Sequence, residues 1–354
     1  MMRLENQRHK IDGLDGKIIK LLNARARLSL EIAGIKRKSG KGAYSADRER
    51  AILRKLAILN KGPLPKTALE GIYREIMSSS LSLAAPLKIA YLGPQATFTH
   101  LAALKRFGSQ VRHMPCYSIT DVFTEVEKGT ADYGVIPIEN SIEGAITHTL
   151  DMFMDSDLKI CAQVILDVSH NLLANCPMDK IKRIYSIAQV FGQCRIWLQG
   201  HLPGIETVEV SSTTAAAQLA AKKKYSAAIA SSFAAKIYKL KMIASDIEDS
   251  AHNITRFMVI GKEDVGPTGD DRTSVMFSIK DKVGVLHDML LPFKKYKINL
   301  TRIESRPSKK KAWDYYFFLD LQGHRDNPKV REALSELEAK CKFLKILGSY
   351  PVGE

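Results

Sequence analysis

The chain has 354 residues, 45% of them hydrophobic and 26% charged, which is a globular composition and excludes a disordered or fibrous chain. It is too long for one ordinary core, and neither a secretory signal in the polar stretch Met1 to Asp12 nor an apolar run of about 18 residues that could span a membrane is present. The net charge is +15, and residues 1–86 alone carry 18 Lys and Arg against 8 Asp and Glu, a balance that suits an anionic partner, either nucleic acid or a small polycarboxylate. Five scattered cysteines (Cys116, Cys161, Cys176, Cys194, Cys341) form no CxxC pair, so neither disulfides nor a zinc site is expected. A cytoplasmic protein without metal or cofactor, made of two or three domains, is the expectation.

Residues 4–38 carry one long helical pattern, with Leu4, Ile11, Ile18, Arg25 and Ile32 recurring every seven residues and Leu14, Leu21 and Leu28 alongside. Gly40 and Gly42 break it, and two further helices are expected over Asp47–Asn60 and Lys66–Leu83. A helix about 50 Å long cannot bury its apolar face within such a short segment, so a homodimer or larger homo-oligomer is expected. Arg25 sits in the apolar stripe, and Lys36, three turns on, points the same way. Periodicity alone leaves open an ion pair within the bundle, a side chain reaching back to water, or a cationic pocket for a dianion.

The second helix opens with Asp47-Arg48-Glu49-Arg50 just after Tyr44-Ser45, and here residues 3–84 resemble the all-helical chorismate mutase domain. The resemblance implies that Arg8 reaches the substrate of a partner subunit and that Arg25 and Arg48 bind carboxylates. By the same resemblance Lys36 donates to the ether oxygen, Glu49 binds the ring hydroxyl, and Ser80 lies near a carboxylate. A pericyclic rearrangement needs a held conformer and fixed donors for developing negative charge, with no nucleophile or metal. Two positions depart from the family: Ser45 replaces an acidic residue, and Ala84 replaces a Gln or Glu that would also serve the ether oxygen. Ala84 can donate nothing, so the mutase is expected either to be slow or to fill that gap with another group or water.

From residue 87 the texture becomes α/β. Strands are expected over Lys88–Leu92, Tyr133–Ile138, Lys159–Val168, Arg183–Ile187, Ala227–Ala230 and Ile254–Ile260, with helices over Thr97–Phe107, Ile119–Lys128 and Thr213–Lys223. Four segments lie at the expected strand ends: Gly93-Pro94-Gln95-Ala96-Thr97-Phe98; Asn140-Ser141-Ile142-Glu143-Gly144; Tyr185-Ser186 with Gln189 and Gln193; and Asn253-Ile254-Thr255-Arg256-Phe257. Singly, each reads as a turn or a helix cap. Together, in this order, they resemble prephenate dehydratase, a two-lobed α/β fold like the periplasmic binding proteins. The resemblance assigns the leaving hydroxyl of prephenate to Thr255, orientation of the substrate to Asn140, Ser186 and Gln193, and support to Ser141 and Glu143. Arg256 is expected to pair either with a substrate carboxylate or with a structural acid.

Gly261–Asp271 reads as a linker. After it Thr273–Lys280, Val285–Tyr296, Leu300–Arg306, Trp313–Leu321, Pro328–Lys340 and Phe343–Leu347 give β-α-β-β-α-β, an α+β ferredoxin-like module. Gly284-Val285-Leu286-His287 and Glu304-Ser305-Arg306-Pro307 resemble the two phenylalanine-binding motifs of the ACT regulatory domain, with Val285 in place of the usual Ala. A multidomain chain is therefore expected: mutase 1–86, dehydratase 87–265 and ACT 272–354. Its substrates would be chorismate and prephenate and its effector L-phenylalanine, with no nucleic acid and no membrane as partners. One rival is a ligand-sensing DNA-binding regulator; against it, the first helix is too long for a helix-turn-helix unit and Arg25 faces inward. Another keeps the dehydratase and reduces the N-terminal helices to a dimerisation module.

Overall fold

A computed structural model describes residues 2–38, 44–84, 86–250, 252–279, 283–307 and 315–353. The helix-breaking Gly40 and Gly42, and the strand ends expected at Lys280 and Trp313, lie outside the described residues. The chain divides into two units, Met1–Lys88 with Arg106–Arg112, and Ile89–Lys105 with His113–Glu354.

The first unit contains the three expected helices: α1 (Met2–Lys38), α2 (Ala46–Leu59) and α3 (Lys66–Ala84). Ser45 is the extended N-cap of α2, and Asp47 and Glu49 place negative charge in its first turn, where the helix dipole favours it. Pro63 and Pro65 follow α2, and Pro86 follows α3, which suits chain that cannot continue a helix. Arg25, Ser29, Ala33 and Lys36 form the half-buried side of α1, whereas Leu4, Ile11, Ile18 and Leu21 are each more than half exposed.

In the second unit, β1 (Lys88–Leu92), α4 (Phe98–Phe107), β2 (Arg112–Cys116), α5 (Ile119–Glu127), β3 (Tyr133–Asn140), β4 (Gly144–Ala145), α6 (Thr147–Asp155) and β5 (Lys159–Asp167) begin a six-stranded sheet. The last residues of α4 and the first of β2 group with the helices of the first unit. A second sheet follows from β6 (Asn171–Ala174), β7 (Arg183–Ser186), α7 (Ala188–Gln193), α8 (Arg195–His201), β8 (Glu206–Glu209), α9 (Thr213–Lys222), β9 (Ser226–Ala230), α10 (Ser232–Tyr238) and β10 (Lys241–Ala244). Its order is β10-β6-β9-β7-β8. The chain then returns to the first sheet as β11 (Ile254–Gly261), giving the order β2-β1-β3-β11-β5 with β11 antiparallel to both neighbours. Two sheets joined by two chain crossings are the expected two lobes. Periodicity does not predict the short strands β2, β4, β6, β8 and β10 or the helices α6, α7, α8 and α10.

The C-terminal module has the expected order: β12 (Asp271–Ser278), α11 (Val285–Lys295), β13 (Leu300–Pro307), β14 (Tyr315–Gln322), α12 (Pro328–Glu338) and β15 (Phe343–Pro351), with sheet order β13-β14-β12-β15. Alternation along each strand splits this sheet between two cores. Val275, Phe277, Leu319 and Leu321 pack under α11 and α12, while Met276, Phe318, Leu347 and Tyr350 share a core with Ile136, Ile138 and Met258 of the six-stranded sheet and Phe153 of α6. Full burial of one such side chain contributes about 1.5–3 kcal/mol, so four of them make the module part of the dehydratase core. The approach is close enough to require glycine at one point: a Cβ on Gly348 would lie 2.3 Å from the Ile160 carbonyl oxygen.

Candidate active sites

In the helical unit a cavity of 570 Å³ gathers Arg25, Lys36, Ser45, Arg48, Glu49, Ser80 and Ala84. A spacing of three helical turns sets Arg25 and Lys36 on the same side of α1, the first turn of α2 supplies Arg48 and Glu49, and the last turns of α3 supply Ser80 and Ala84. Arg25 Nη1 donates to Ser80 Oγ (2.9 Å), whose own hydrogen goes to the Ile76 carbonyl (2.8 Å). Ser80 thereby fixes one arm of a guanidinium and leaves the remaining donors for a ligand. Ser45 Oγ donates to Asp47 (2.5 Å). Arg8 is exposed on α1 and does not line this cavity.

Glu49 is buried, and Tyr44 Oη donates to its Oε2 (3.0 Å). Arg106 Nε donates to the same phenol oxygen (2.6 Å), and Arg106 Nη2 lies 3.1 Å from Glu49 Oε2. Burial pushes the Tyr44 phenol well above its usual range, ahead of the opposing pull of Arg106, so it stays a neutral donor. Arg74 and Arg106 line the cavity as well, and sequence reasoning missed both. Arg74 lies in the third helix near Ser80, a weak signal; Arg106 carries none, because its contact depends on chain folded from 62 residues away. The cavity can hold a small dianion against several cations with one buried carboxylate as a hydrogen-bond acceptor.

The second site lies where β3 and α7 end and β11 begins. Asn140 Nδ2 donates to Thr255 Oγ1 (2.8 Å) and to Asn253 Oδ1 (2.7 Å), and its Oδ1 accepts from the backbone N–H of Ile142 (2.9 Å) and Glu143 (3.1 Å). Asn253 Nδ2 and Gln193 Oε1 continue the network at 3.1 Å, and Gln193 Nε2 reaches Glu143 Oε1 at 3.1 Å. Burial lowers the pKa of His170 despite Gln193 and Glu248, and its Nε2 lies 2.8 Å from Gln193 Oε1. A neutral imidazole is thus the donor there. Ser141 Oγ donates to the His252 carbonyl (2.7 Å) and accepts from Ile254 N–H (2.9 Å), stitching the two strand ends together. A cavity of 710 Å³ beside this network is lined by Ile142, Glu143, Gln189, Gly192, Gln193, Glu248, Asp249 and Ser250.

The network unites Asn140, Glu143, Gln193 and Thr255 and adds Asn253 and His170. Ser186 stays outside it: its side chain is buried and its hydroxyl donates to the Ile229 carbonyl (3.0 Å). Arg256 also lies outside. Of the two partners expected for it, the structure shows the acid, with Asp320 Oδ2 at 2.6 Å and Glu139 Oε2 at 3.4 Å. Burial alone would lower the Arg256 pKa, but Asp320 and its neighbours leave it raised, so the guanidinium is firmly charged.

On the C-terminal module, Gly284 is the N-cap of α11 with φ +76, a left-handed conformation in which a side chain would be strained. Val285, Leu286 and His287 form the first turn, with His287 facing Asp288 at 3.4 Å. Glu304, Ser305, Arg306 and Pro307 end the edge strand β13. Ser305 and Pro307 are exposed, and Arg306 pairs with Asp151 of α6 at 3.1 Å. Among the described residues no group of three or more His, Cys, Asp or Glu could hold a metal ion.

A helical cationic cavity, a two-lobed domain with an amide-rich site and a ferredoxin-like module define a multidomain enzyme with an attached regulatory domain. Chorismate mutase type II matches residues 7–85, prephenate dehydratase residues 89–265 and the ACT domain residues 273–339. A bifunctional chorismate mutase/prephenate dehydratase of Aquifex aeolicus is 48% identical, and one of Pseudomonas aeruginosa 45%, each over 99% of this chain and 98% of its own length. A crystal structure of prephenate dehydratase from Arthrobacter aurescens in complex with L-Phe superposes with a TM-score of 0.70 at 33% identity, covering 75% of this chain and 90% of that one. The chain belongs to the bifunctional chorismate mutase/prephenate dehydratase family.

Proposed function

We propose that the helical unit rearranges chorismate to prephenate and that the two-lobed domain converts prephenate to phenylpyruvate, under inhibition by L-phenylalanine at the C-terminal module. The observation that carries the first reaction is the gathering of Arg25, Lys36, Arg48, Glu49 and Ser80 around one cavity. Arg25 and Arg48 hold the two carboxylates, Lys36 stabilises the charge developing on the ether oxygen, and Glu49 accepts from the ring hydroxyl. These fixed donors act on a held conformer, which is all a pericyclic step requires. Ala84 leaves one wall of the cavity without a donor, and Arg74 and Arg106 supply cations to the same cavity. Exposed Leu4, Ile11, Ile18 and Leu21 support pairing of two α1 helices in a homodimer, with Arg8 entering the cavity of the partner copy.

In the second reaction the C1 carboxylate leaves as carbon dioxide and the C4 hydroxyl leaves as water. Hydroxide is a poor leaving group, so a donor at that oxygen governs the rate. Thr255 fits, because Asn140 fills one of its acceptor positions and its own hydrogen is then directed elsewhere. Gln193 and Asn253 orient the ring, with Glu143 and Ser141 fixing that shell. Action on small acids in the cytoplasm is part of this reading, and no described helix is long and apolar enough to cross a membrane. The test is to incubate the protein with chorismate and follow prephenate and phenylpyruvate separately. Both should form in sequence; chorismate consumption without phenylpyruvate, or phenylpyruvate only from supplied prephenate, would remove one half of the assignment.

A further inference from the structure

Four charged side chains form a checkerboard behind the dehydratase site. Thr255 is the register partner of Asn140, and the next pair along the same two strands is Arg256 with Glu139. Successive residues of a strand face opposite sides of the sheet, so the first pair meets the amide network while the second faces the C-terminal module. There each member is held by one side chain of that module. Asp320 of β14 lies 2.6 Å from Arg256, and Arg302 of β13 lies 3.6 Å from Glu139. Arg302 and Asp320 are themselves register partners. Opposite charges therefore face each other across both the strand pairs and the two sheets. Asp320 is further fixed by Ser274 Oγ (2.6 Å), which also meets Tyr350 Oη at 2.6 Å.

Two observations indicate that this cluster does more than join domains. The ladder between β11 and β3 shifts register between Arg256 and Phe257, directly beside Thr255. Such an irregularity weakens backbone pairing locally and re-aims the neighbouring side chains, so the position of Thr255 depends on what holds Arg256. Arg256 Nε and Arg302 Nη2 are also buried without hydrogen-bond partners. A cluster serving stability alone would gain by satisfying them or by replacing the charges with apolar side chains.

We propose that Asp320 and Arg302 of the C-terminal module are positioning residues for dehydration, holding Arg256 and Glu139 so that Thr255 and Asn140 keep their geometry. The inference rests on the dehydratase reading above. It makes the effector-binding module part of the catalytic frame, and any shift of β13 or β14 moves the Thr255–Asn140 pair.

The test uses full-length Asp320→Asn and Arg302→Met, with initial rates on supplied prephenate, chorismate consumption and thermal unfolding measured on each. The expected result is a fall in dehydration kcat of about tenfold or more, a KM for prephenate within about threefold, and an unchanged mutase rate. Arg302→Lys, which keeps a charge beside Glu139, should recover most of the lost kcat. Variants with kcat within about twofold of wild type overturn the proposal. So does a fall in kcat that Arg302→Lys leaves unrescued, or one matched by loss of folded protein, since either marks a purely structural cluster. Wild-type protein that turns over no prephenate would sink the dehydratase reading itself, a result distinct from active wild type with unaffected variants.

Discussion

Asn140 donates to Thr255, and the reverse arrangement is blocked. Its Oδ1 is taken by the N–H groups of Ile142 and Glu143 at 2.9 and 3.1 Å, which leaves Nδ2 facing Thr255 Oγ1 at 2.8 Å. An amide nitrogen cannot accept a hydrogen bond, so the threonine hydrogen is available to a leaving hydroxyl. Thr255→Ala should lower phenylpyruvate formation by about 100-fold or more while chorismate consumption and the melting temperature stay near wild type. Thr255→Ser, which keeps the hydroxyl, should retain most of the rate. Dehydration by Thr255→Ala within a few-fold of wild type would show that the hydroxyl is not the donor.

The mutase cavity yields a separate prediction. Arg25→Ala and Lys36→Ala each remove a cation that faces the cavity, so each should lower chorismate consumption by about 100-fold or more without changing dehydration of supplied prephenate. Arg25→Ala also leaves Ser80 without its 2.9 Å donor. Ala84→Gln places a donor where the Ala84 side chain offers none and should raise the mutase rate. An unchanged rate would mean that the cations already lining the cavity compensate.

The helices of the first unit were legible because a seven-residue repeat and flanking glycines and prolines are local signals. β6 shows the opposite case: all of its residues are buried, so no polar alternation marks it. Motif residues were legible as a set, but their partners were not. Ser186 gave no sign that its hydroxyl serves a strand carbonyl, and the acid that pairs with Arg256 is Asp320, 64 residues away. Arg106 reaches Tyr44 across 62 residues and likewise left no local trace. Side chains whose role is fixed by another sheet or helix are invisible to spacing.

Acid should loosen the loop that carries Gly93 to Phe98. His100 Nδ1 accepts from Ala96 N–H at 3.2 Å, and its ring stacks on Tyr91 at 4.5 Å, near His113 and Phe233. Burial, with the neighbouring His113 adding to it, lowers the His100 pKa from 6.5 to about 4. A base whose pKa is lowered on folding binds its proton first in the unfolded chain. Its contribution to stability is therefore complete above pH 6.5 and is lost as pH falls from 6.5 towards 4. His100→Gln keeps an acceptor for Ala96 and does not titrate. Its melting temperature should therefore fall less than that of wild type between about pH 7.5 and about pH 4.5, an interval that covers most of that window. An equal fall in both proteins would assign the acid sensitivity elsewhere.

Regulation is best probed with point variants, because Met276, Phe318, Leu347 and Tyr350 lie in the dehydratase core and removal of the module would expose it. Gly284 caps α11 at φ +76, and a Cβ on it would meet no atom within 4 Å, so a side chain there strains the backbone without clashing. The free N–H groups of that first turn suit an amino-acid carboxylate, and strain would turn them away. Alternation on β13 sets Ser305 on the face opposite Arg302 and Arg306, and it is exposed. Gly284→Val and Ser305→Ala should each raise the phenylalanine concentration for half-inhibition about fivefold or more, within the usual range of allosteric coupling, while uninhibited kcat changes by less than about twofold. The mutase should respond little to phenylalanine in any of these proteins. Calorimetry decides the assignment: wild-type protein should bind phenylalanine and both variants should bind it more weakly, whereas no heat from wild type at millimolar ligand would leave the module with a structural role alone.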